Sequence, residues 1–275
     1  MGALQGKVAI VTGSGRGIGR AVALKLASQG VAVVVNDLDE APALAVIDEI
    51  RAAGGRATAC NGSITAPDFG ERIVQAALDA FGTLDIVVNN AGYTRDGVIQ
   101  KQSDEQFQAM LDVHVTAPFR ILRAAAEPWR TMSKQEAAEG REVIRKVVNI
   151  SSISGVNGNP GQVNYAAAKS AVVGMTKTLA KEWGRLKVCV NCVAFGFIET
   201  RLNLPSDHPD TRAEIEGRQL QFGVPASFRE AVTAQIPLGR AGTPEEAAGG
   251  VYFFCAPESD YVSGQTLLVA GGLGV

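Results

Sequence analysis

Tyr165-Ala166-Ala167-Ala168-Lys169 sets a phenol and an ammonium four residues apart. On a helix that spacing brings both to one face. Ser152 stands 13 residues before the tyrosine. A phenol beside a cation serves as acid or base at a carbon–oxygen bond once its proton affinity falls from the usual value near ~10. A serine hydroxyl donates to an oxygen on which negative charge develops. Each residue alone has a plainer explanation: a packed tyrosine, a surface lysine, a turn serine. Together they point to acid or base catalysis at a carbon–oxygen bond.

The N-terminus offers a place for a dinucleotide. An apolar run leads into Thr12-Gly13-Ser14-Gly15-Arg16-Gly17-Ile18-Gly19. Glycines let backbone N–H groups approach a pyrophosphate closely, and the N-terminus of the helix that follows favours its charge. The plainer alternative is a tight turn without a ligand. Asp37 ends the second apolar run, 18 residues after Gly19. A carboxylate there accepts hydrogen bonds from the adenosine ribose and repels a 2′-phosphate, so NAD is expected over NADP. Arg16 argues the other way, because an arginine in the glycine loop can reach a 2′-phosphate.

The elements that position these residues alternate. Val8–Thr12, Val31–Asn36, Arg56–Cys60, Leu84–Asn89, Val147–Ser151, Lys187–Val193 and Thr266–Ala270 read as strands. Their continuous apolar character suits a parallel sheet covered on both faces. Helical patterns fall between them, at about 17–29, 40–53, 67–81, 103–131, 163–184 and 244–256. The β-α repetition predicts one α/β domain over 1–275, a doubly wound parallel sheet of about seven strands with helices on both faces. Two stretches read as additions: a charged surface insertion at 131–146, and a long connection at 201–235 interrupted by Pro205, Pro209 and Pro225. A connection that long on the carboxyl edge of the sheet suits a substrate lid.

Composition narrows the class. A net charge of −2 with 20% charged residues offers no basic field for nucleic acid or a membrane surface. No apolar stretch reaches the length of a membrane span. Cys189 and Cys192 form a C-x-x-C, but within the apolar strand Lys187–Val193. Residues three apart on a strand face opposite sides, so no metal site is expected. Scattered cysteines and no secretion signal suit a cytoplasmic protein.

Asn89-Asn90-Ala91-Gly92 after the fourth strand completes a set: glycine motif, N-N-A-G, Ser152 and Y-x-x-x-K, in that order. The chain resembles the short-chain dehydrogenase/reductase family over nearly its whole length. The resemblance implies a Rossmann-type fold and a nicotinamide cofactor. It implies Tyr165 as acid or base, Ser152 as donor to the substrate oxygen, and Lys169 as both modulator of the tyrosine and ligand of the nicotinamide ribose. Lys169 and the cationic nicotinamide ring are expected to lower the Tyr165 pKa. Gly13, Ser14, Arg16, Gly17, Ile18, Gly19, Asp37, Asn61, Asn90, Ala91, Gly92, Gly196, Ile198 and Thr200 are the implied cofactor contacts, with Tyr165 and Lys169. Three positions depart from the family. His114 stands where asparagine holds a water of the proton relay, and either joins that relay or is a satisfied core histidine. Phe195 precedes Gly196 where proline is usual. Asn61-Gly62 replaces an aspartate near the adenine.

Val35–Leu38, Ala77–Gly82, Arg95-Asp96, Val113-His114-Val115 and Asn159–Tyr165 are similar to the (3R)-hydroxyacyl-CoA dehydrogenase domain of multifunctional enzyme type 2. Asn90-Ala91-Gly92-Tyr93-Thr94-Arg95-Asp96 and Gly196–Thr200 resemble bacterial 3-oxoacyl-acyl-carrier-protein reductases. Both resemblances imply a 3-hydroxyacyl or 3-oxoacyl thioester of CoA or acyl-carrier protein as substrate, and the lid suggests a bulky acyl group. The alternatives are a hydroxysteroid or other secondary alcohol, and a dinucleotide-binding protein without turnover. Small residues along the Tyr165 helix, with the family's habit, imply a homo-tetramer.

Overall fold

The computed structural model describes residues 2–208, 211–215 and 217–274. In chain order the first half runs β1 (Val8–Val11), α1 (Gly17–Ser28), β2 (Ala32–Val35), α2 (Glu40–Ala52), β3 (Ala57–Ala59), α3 (Phe69–Phe81), β4 (Ile86–Asn89), α4 (Asp104–Leu111) and α5 (Ala117–Ala138). Then come β5 (Arg145–Ser152), α6 (Ile153–Asn157), α7 (Val163–Trp183) and β6 (Val188–Phe195). The chain closes with β7 (Arg212–Ile215), β8 (Arg218–Gln221), α8 (Ala226–Thr233), α9 (Pro244–Cys255) and β9 (Thr266–Val269).

Seven strands form one sheet in the order β3-β2-β1-β4-β5-β6-β9, each neighbouring pair parallel. This is the expected Rossmann-type α/β architecture. Alternate residues divide the core: Ala9 and Val11 join one hydrophobic layer, Val8 and Ile10 the other. The first layer packs α1, α2 and α9 on the sheet, the second α3, α5 and α7. The strand order reverses between β1 and β4, which opens a crevice at the carboxyl ends of those strands.

Three expectations change. The single helix at 103–131 is two helices, α4 and α5, joined by a wide π turn over Asp112–Thr116. Strand β5 starts at Arg145, inside the stretch read as a surface insertion, and α5 runs on to Ala138. Arg145 and Lys146 are buried because partners reach them: Glu136 at 2.6 Å and Asp260 at 2.7 Å. The segment 201–235 carries an antiparallel hairpin, β7–β8, and helix α8. Within it Pro209 and residues 210 and 216 lie outside the described residues. Among the described residues no helix is long and apolar enough to cross a membrane.

Candidate active site

One cleft of about 1620 Å³ runs across the carboxyl ends of the strands. At one end the loop after β1 turns into α1. Gly13 and Gly17 have φ of +61° and +53°, which disfavours a side chain at either position. A Cβ on Gly19 would stand 2.1 Å from the Gly13 carbonyl oxygen, and one on Gly13 would stand 2.8 Å from Ala91 Cα. The loop therefore packs backbone on backbone. Helix α1 has no side-chain cap and no acid in its first turn, so its leading N–H groups face the cleft without an intrahelical acceptor. That arrangement fits the pyrophosphate of a dinucleotide.

Neighbouring strands hold this loop. The Thr12 hydroxyl accepts from the N–H of Asn90 and of Ala91, both at 3.0 Å. The Asn90 amide donates to the Thr12 and Gly13 carbonyls at 2.9 and 3.1 Å. Asn36, absent from the expected set, accepts from Gly13 N–H at 3.2 Å and donates to the Cys60 and Gly62 carbonyls. Its signal in the sequence was a polar residue closing an apolar run.

Asp37 lies at the cleft edge. Its carboxylate accepts from Gly15 N–H at 3.0 Å and Asp39 N–H at 3.2 Å. Arg16 turns to the same acids, 2.7 Å from Asp39 and 3.8 Å from Asp37. Gly17, Ile18, Gly92, Gly196, Ile198 and Thr200 line the cleft. Ser14 and Asn61 do not. The Ser14 hydroxyl is fully buried and donates to the Val11 carbonyl at 2.7 Å, so it braces the loop from behind. Around Asn61 it is Gly62, Ser63 and Ile64 that form the wall.

At the other end, Ser152 closes β5 and caps α6, accepting from Ser154 N–H at 3.1 Å. Tyr165 and Lys169 rise from the first turns of α7, where a Cβ on Gly155 would press on Lys169 Cβ at 2.6 Å. Helix α6 therefore fixes the lysine stem. Lys169 Nζ donates to the Ile150 carbonyl at 2.8 Å and lies 5.6 Å from the Tyr165 ring centre. His114, on the π turn, meets Tyr165 edge-on with ring centres 5.2 Å apart.

Lys169 is one of the two cations, with the nicotinamide ring, expected to lower the tyrosine pKa. In the structure burial dominates and pushes Tyr165 up to about 12, with a hydrogen bond from Ser152 pulling the other way. Burial also draws Lys169 down to about 8. The lysine's bond to Ile150 holds it beside the ring, so its charge adds little at the phenol oxygen. His114 is held well below its usual value by burial and by Lys169, so its ring is neutral. Its Nε2 donates to the Tyr93 carbonyl at 2.8 Å, because a carbonyl only accepts. That leaves Nδ1 as an acceptor, buried and without a partner among the described residues.

Asp96 and Gln162, also absent from the expected set, sit near the phenol. Gln162 donates to Asp96 at 2.8 Å, and burial raises the Asp96 pKa. Behind them Asn89, Asn149 and Thr176 form a buried polar chain from β4 through β5 to α7, with links of 2.8 and 2.9 Å. Among the described residues no group of three or more His, Cys, Asp or Glu side chains is placed to hold a metal.

Comparison with known proteins agrees with this geometry. Residues 7–210 match the family described as short chain dehydrogenase. The chain is 40% identical to the 3-oxoacyl-[acyl-carrier-protein] reductase of Synechocystis sp., covering 99% of each protein. It is 39% identical to the enzyme of the same name from Vibrio cholerae over 98% of each. To the short-chain reductase protein NovJ of Streptomyces niveus it is 38% identical, over 98% of this chain and 94% of the relative. The chain belongs to the short chain dehydrogenase family, oxidoreductases that interconvert alcohols and carbonyls with a nicotinamide cofactor.

Proposed function

We propose that the protein interconverts 3-oxoacyl and 3-hydroxyacyl thioesters with NAD(H). The observation that carries the reading is one cleft joining a glycine cradle to Ser152, Tyr165, Lys169 and His114. The relatives of nearly equal length named for action on 3-oxoacyl groups support the substrate class.

The nicotinamide supplies or accepts the hydride. The protein's own part is the proton. A phenol raised to about 12 by burial keeps its proton at neutral pH, as an acid must for reduction. Ser152 donates to the oxygen that gains charge at carbon 3. Lys169, fixed by Ile150, holds the nicotinamide ribose and stands ready to replace the proton the tyrosine gives up. His114 takes the relay position, with Nδ1 as the atom able to accept a hydrogen bond there.

Asp37 and Asp39 support NAD over NADP. Arg16 is already engaged by both acids, so a 2′-phosphate would have to draw it away from them and lie against their carboxylates. The segment 201–235 acts as the substrate lid. Leu202, Leu204, Ile215, Leu220, Phe222 and Phe228 turn apolar surface toward the cleft, which suits a bulky acyl chain.

The test follows nicotinamide absorbance with acetoacetyl-CoA, a ring-bearing 3-oxoacyl-CoA and a free hydroxysteroid, each with NADH or NADPH, or with the oxidised forms for the steroid. We expect both thioesters to react, the bulkier one faster, and NADH to be preferred at least about tenfold. Turnover of the steroid alone removes the thioester assignment. Equal rates for the two thioesters remove the lid's role, and a preference for NADPH removes that of Asp37.

The outer face of α7 supports a homo-tetramer. Ala167, Ser170, Ala171 and Gly174 are exposed, and nothing lies within 4 Å of a Cβ built on Gly174. Small residues there let the same helix of a second copy approach closely. Sedimentation at micromolar concentration should give four chains per particle, and a monomer overturns the assignment. Free thiols and the balance of acids and bases suit a cytoplasmic enzyme.

A further inference from the structure

Arg201 is the first residue of the segment 201–235 and lines the cleft where that segment meets the glycine loop. Thr200, immediately before it, comes within 3.6 Å of where a Cβ on Gly17 would stand. The chain therefore crosses the start of α1 at this point. The Arg201 guanidinium carbon lies 5.6 Å from the ring centre of Phe222, which is itself buried just after β8. Arg16, Asp37 and Asp39 are near enough to act on its charge.

The two arginines of this corner differ. Arg16 is engaged by Asp39 and Asp37. Arg201 makes no ion pair and no hydrogen bond among the described residues, and its guanidinium rests on an aromatic ring. Burial, and after it the neighbouring Arg16, disfavour its charge, and the weaker pull of Asp37 and Asp39 offsets only part of this. A guanidinium held partly out of water without an acceptor is unfavourable until an anion meets it. Its planar fork of donors matches a phosphate.

We propose that Arg201 binds the diphosphate bridge of the nicotinamide cofactor from the side opposite the α1 N-terminus. The inference rests on the reading that the glycine end holds the dinucleotide. A diphosphate seated on the leading N–H groups of α1 presents its outer oxygens to Thr200 and Arg201. The 2′-position of the adenosine ribose belongs instead to the Asp37 corner, where Arg16 is the nearer cation. Because Arg201 also rests on Phe222, the same bond ties the cofactor to β8 and the substrate side of the segment. Bound cofactor thereby fixes the cover over the substrate.

Isothermal titration of the wild type, R201Q and R201K with NADH, NADPH and ADP-ribose tests this, with melting temperatures of all three proteins measured alongside. Wild-type binding of NADH and ADP-ribose is the expected first result. If neither binds, the dinucleotide reading fails and the inference falls with it. R201Q should weaken all three ligands alike, by about tenfold to a hundredfold, and R201K should recover part of the loss. A loss confined to NADPH assigns the arginine to the 2′-phosphate and overturns the proposal. Unchanged nucleotide affinity, with a raised KM for acetoacetyl-CoA, assigns it to the carrier's phosphates and also overturns it. R201K keeps the charge and the stem, so a fold defect in R201Q alone cannot mimic the pattern.

Discussion

Tyr165→Phe should lower turnover of acetoacetyl-CoA by about 10²–10⁴-fold while leaving NADH affinity within about twofold of wild type. The substitution removes one oxygen and keeps the ring. The ring is what His114 and Lys169 touch, at 5.2 and 5.6 Å, so packing around the site survives. The oxygen is the group that carries the transferable proton, and Ser152 is near enough to act on it. Steady-state rates and calorimetric titration of NADH on the same preparation separate the two effects. If the phenylalanine variant turns over at the wild-type rate, Tyr165 is not the acid. If neither protein turns over any substrate but both bind NADH, the chain is a dinucleotide-binding protein without catalysis.

Gly19→Ala should be as damaging at the opposite end of the cleft. The added methyl would lie 2.1 Å from the Gly13 carbonyl oxygen and 2.5 Å from Asn90 Nδ2. The first is backbone, and the second is tied to the Thr12 and Gly13 carbonyls, so neither gives way without opening the loop. Overpacking of this kind costs about 1–3 kcal/mol. For a chain of this size that is a fall in melting temperature of roughly 2–10 °C. NADH affinity should fall more than about a hundredfold, because the N–H groups that face the diphosphate no longer share one geometry. A variant that binds NADH like the wild type would show that the cradle does not depend on this contact. Thermal melts and calorimetric titration read both effects.

Much of this architecture was legible because it rests on short-range patterns. Val8–Val11, Ala32–Val35 and Ile86–Asn89 are apolar runs buried on both faces, and their strands appear within a residue or two of expectation. The four-residue spacing of Tyr165 and Lys169 needed only helical geometry. What escaped depends on partners distant in sequence. Arg145 and Lys146 look like loop residues until Glu136 and Asp260 arrive to neutralise them inside the structure. The strands Arg212–Ile215 and Arg218–Gln221 are short and mostly polar, so they look like part of the connection until they pair with each other. Ser14 had the position of a cofactor contact, but its hydroxyl is drawn inward by the Val11 carbonyl. Asn36 gave its signal only as one polar residue in a valine run, and its use became visible with Gly13 and Gly62 beside it. The rise of the Tyr165 pKa has its cause in burial, which is a property of the assembled site and not of the motif.

The wide turn at Asp112–Thr116 sets a constraint of counting. The Ala117 N–H reaches back five residues to the Asp112 carbonyl, one more than an ordinary helical turn allows. A turn this wide comes round through about the same angle as an ordinary helical turn, so the surplus residue leaves the downstream phase unchanged: Ile121, Leu122, Ala125 and Trp129 still meet the sheet, and Trp129 bonds the Leu84 carbonyl at 2.7 Å. What the extra residue changes is local, at the point where His114 meets Tyr165. Take one residue out of this stretch and the turn closes to a regular helix, with α5 on its old face and the His114 position drawn off the tyrosine. Chain length at this one turn thus becomes part of what specifies the active site, while the core behind it is indifferent to it.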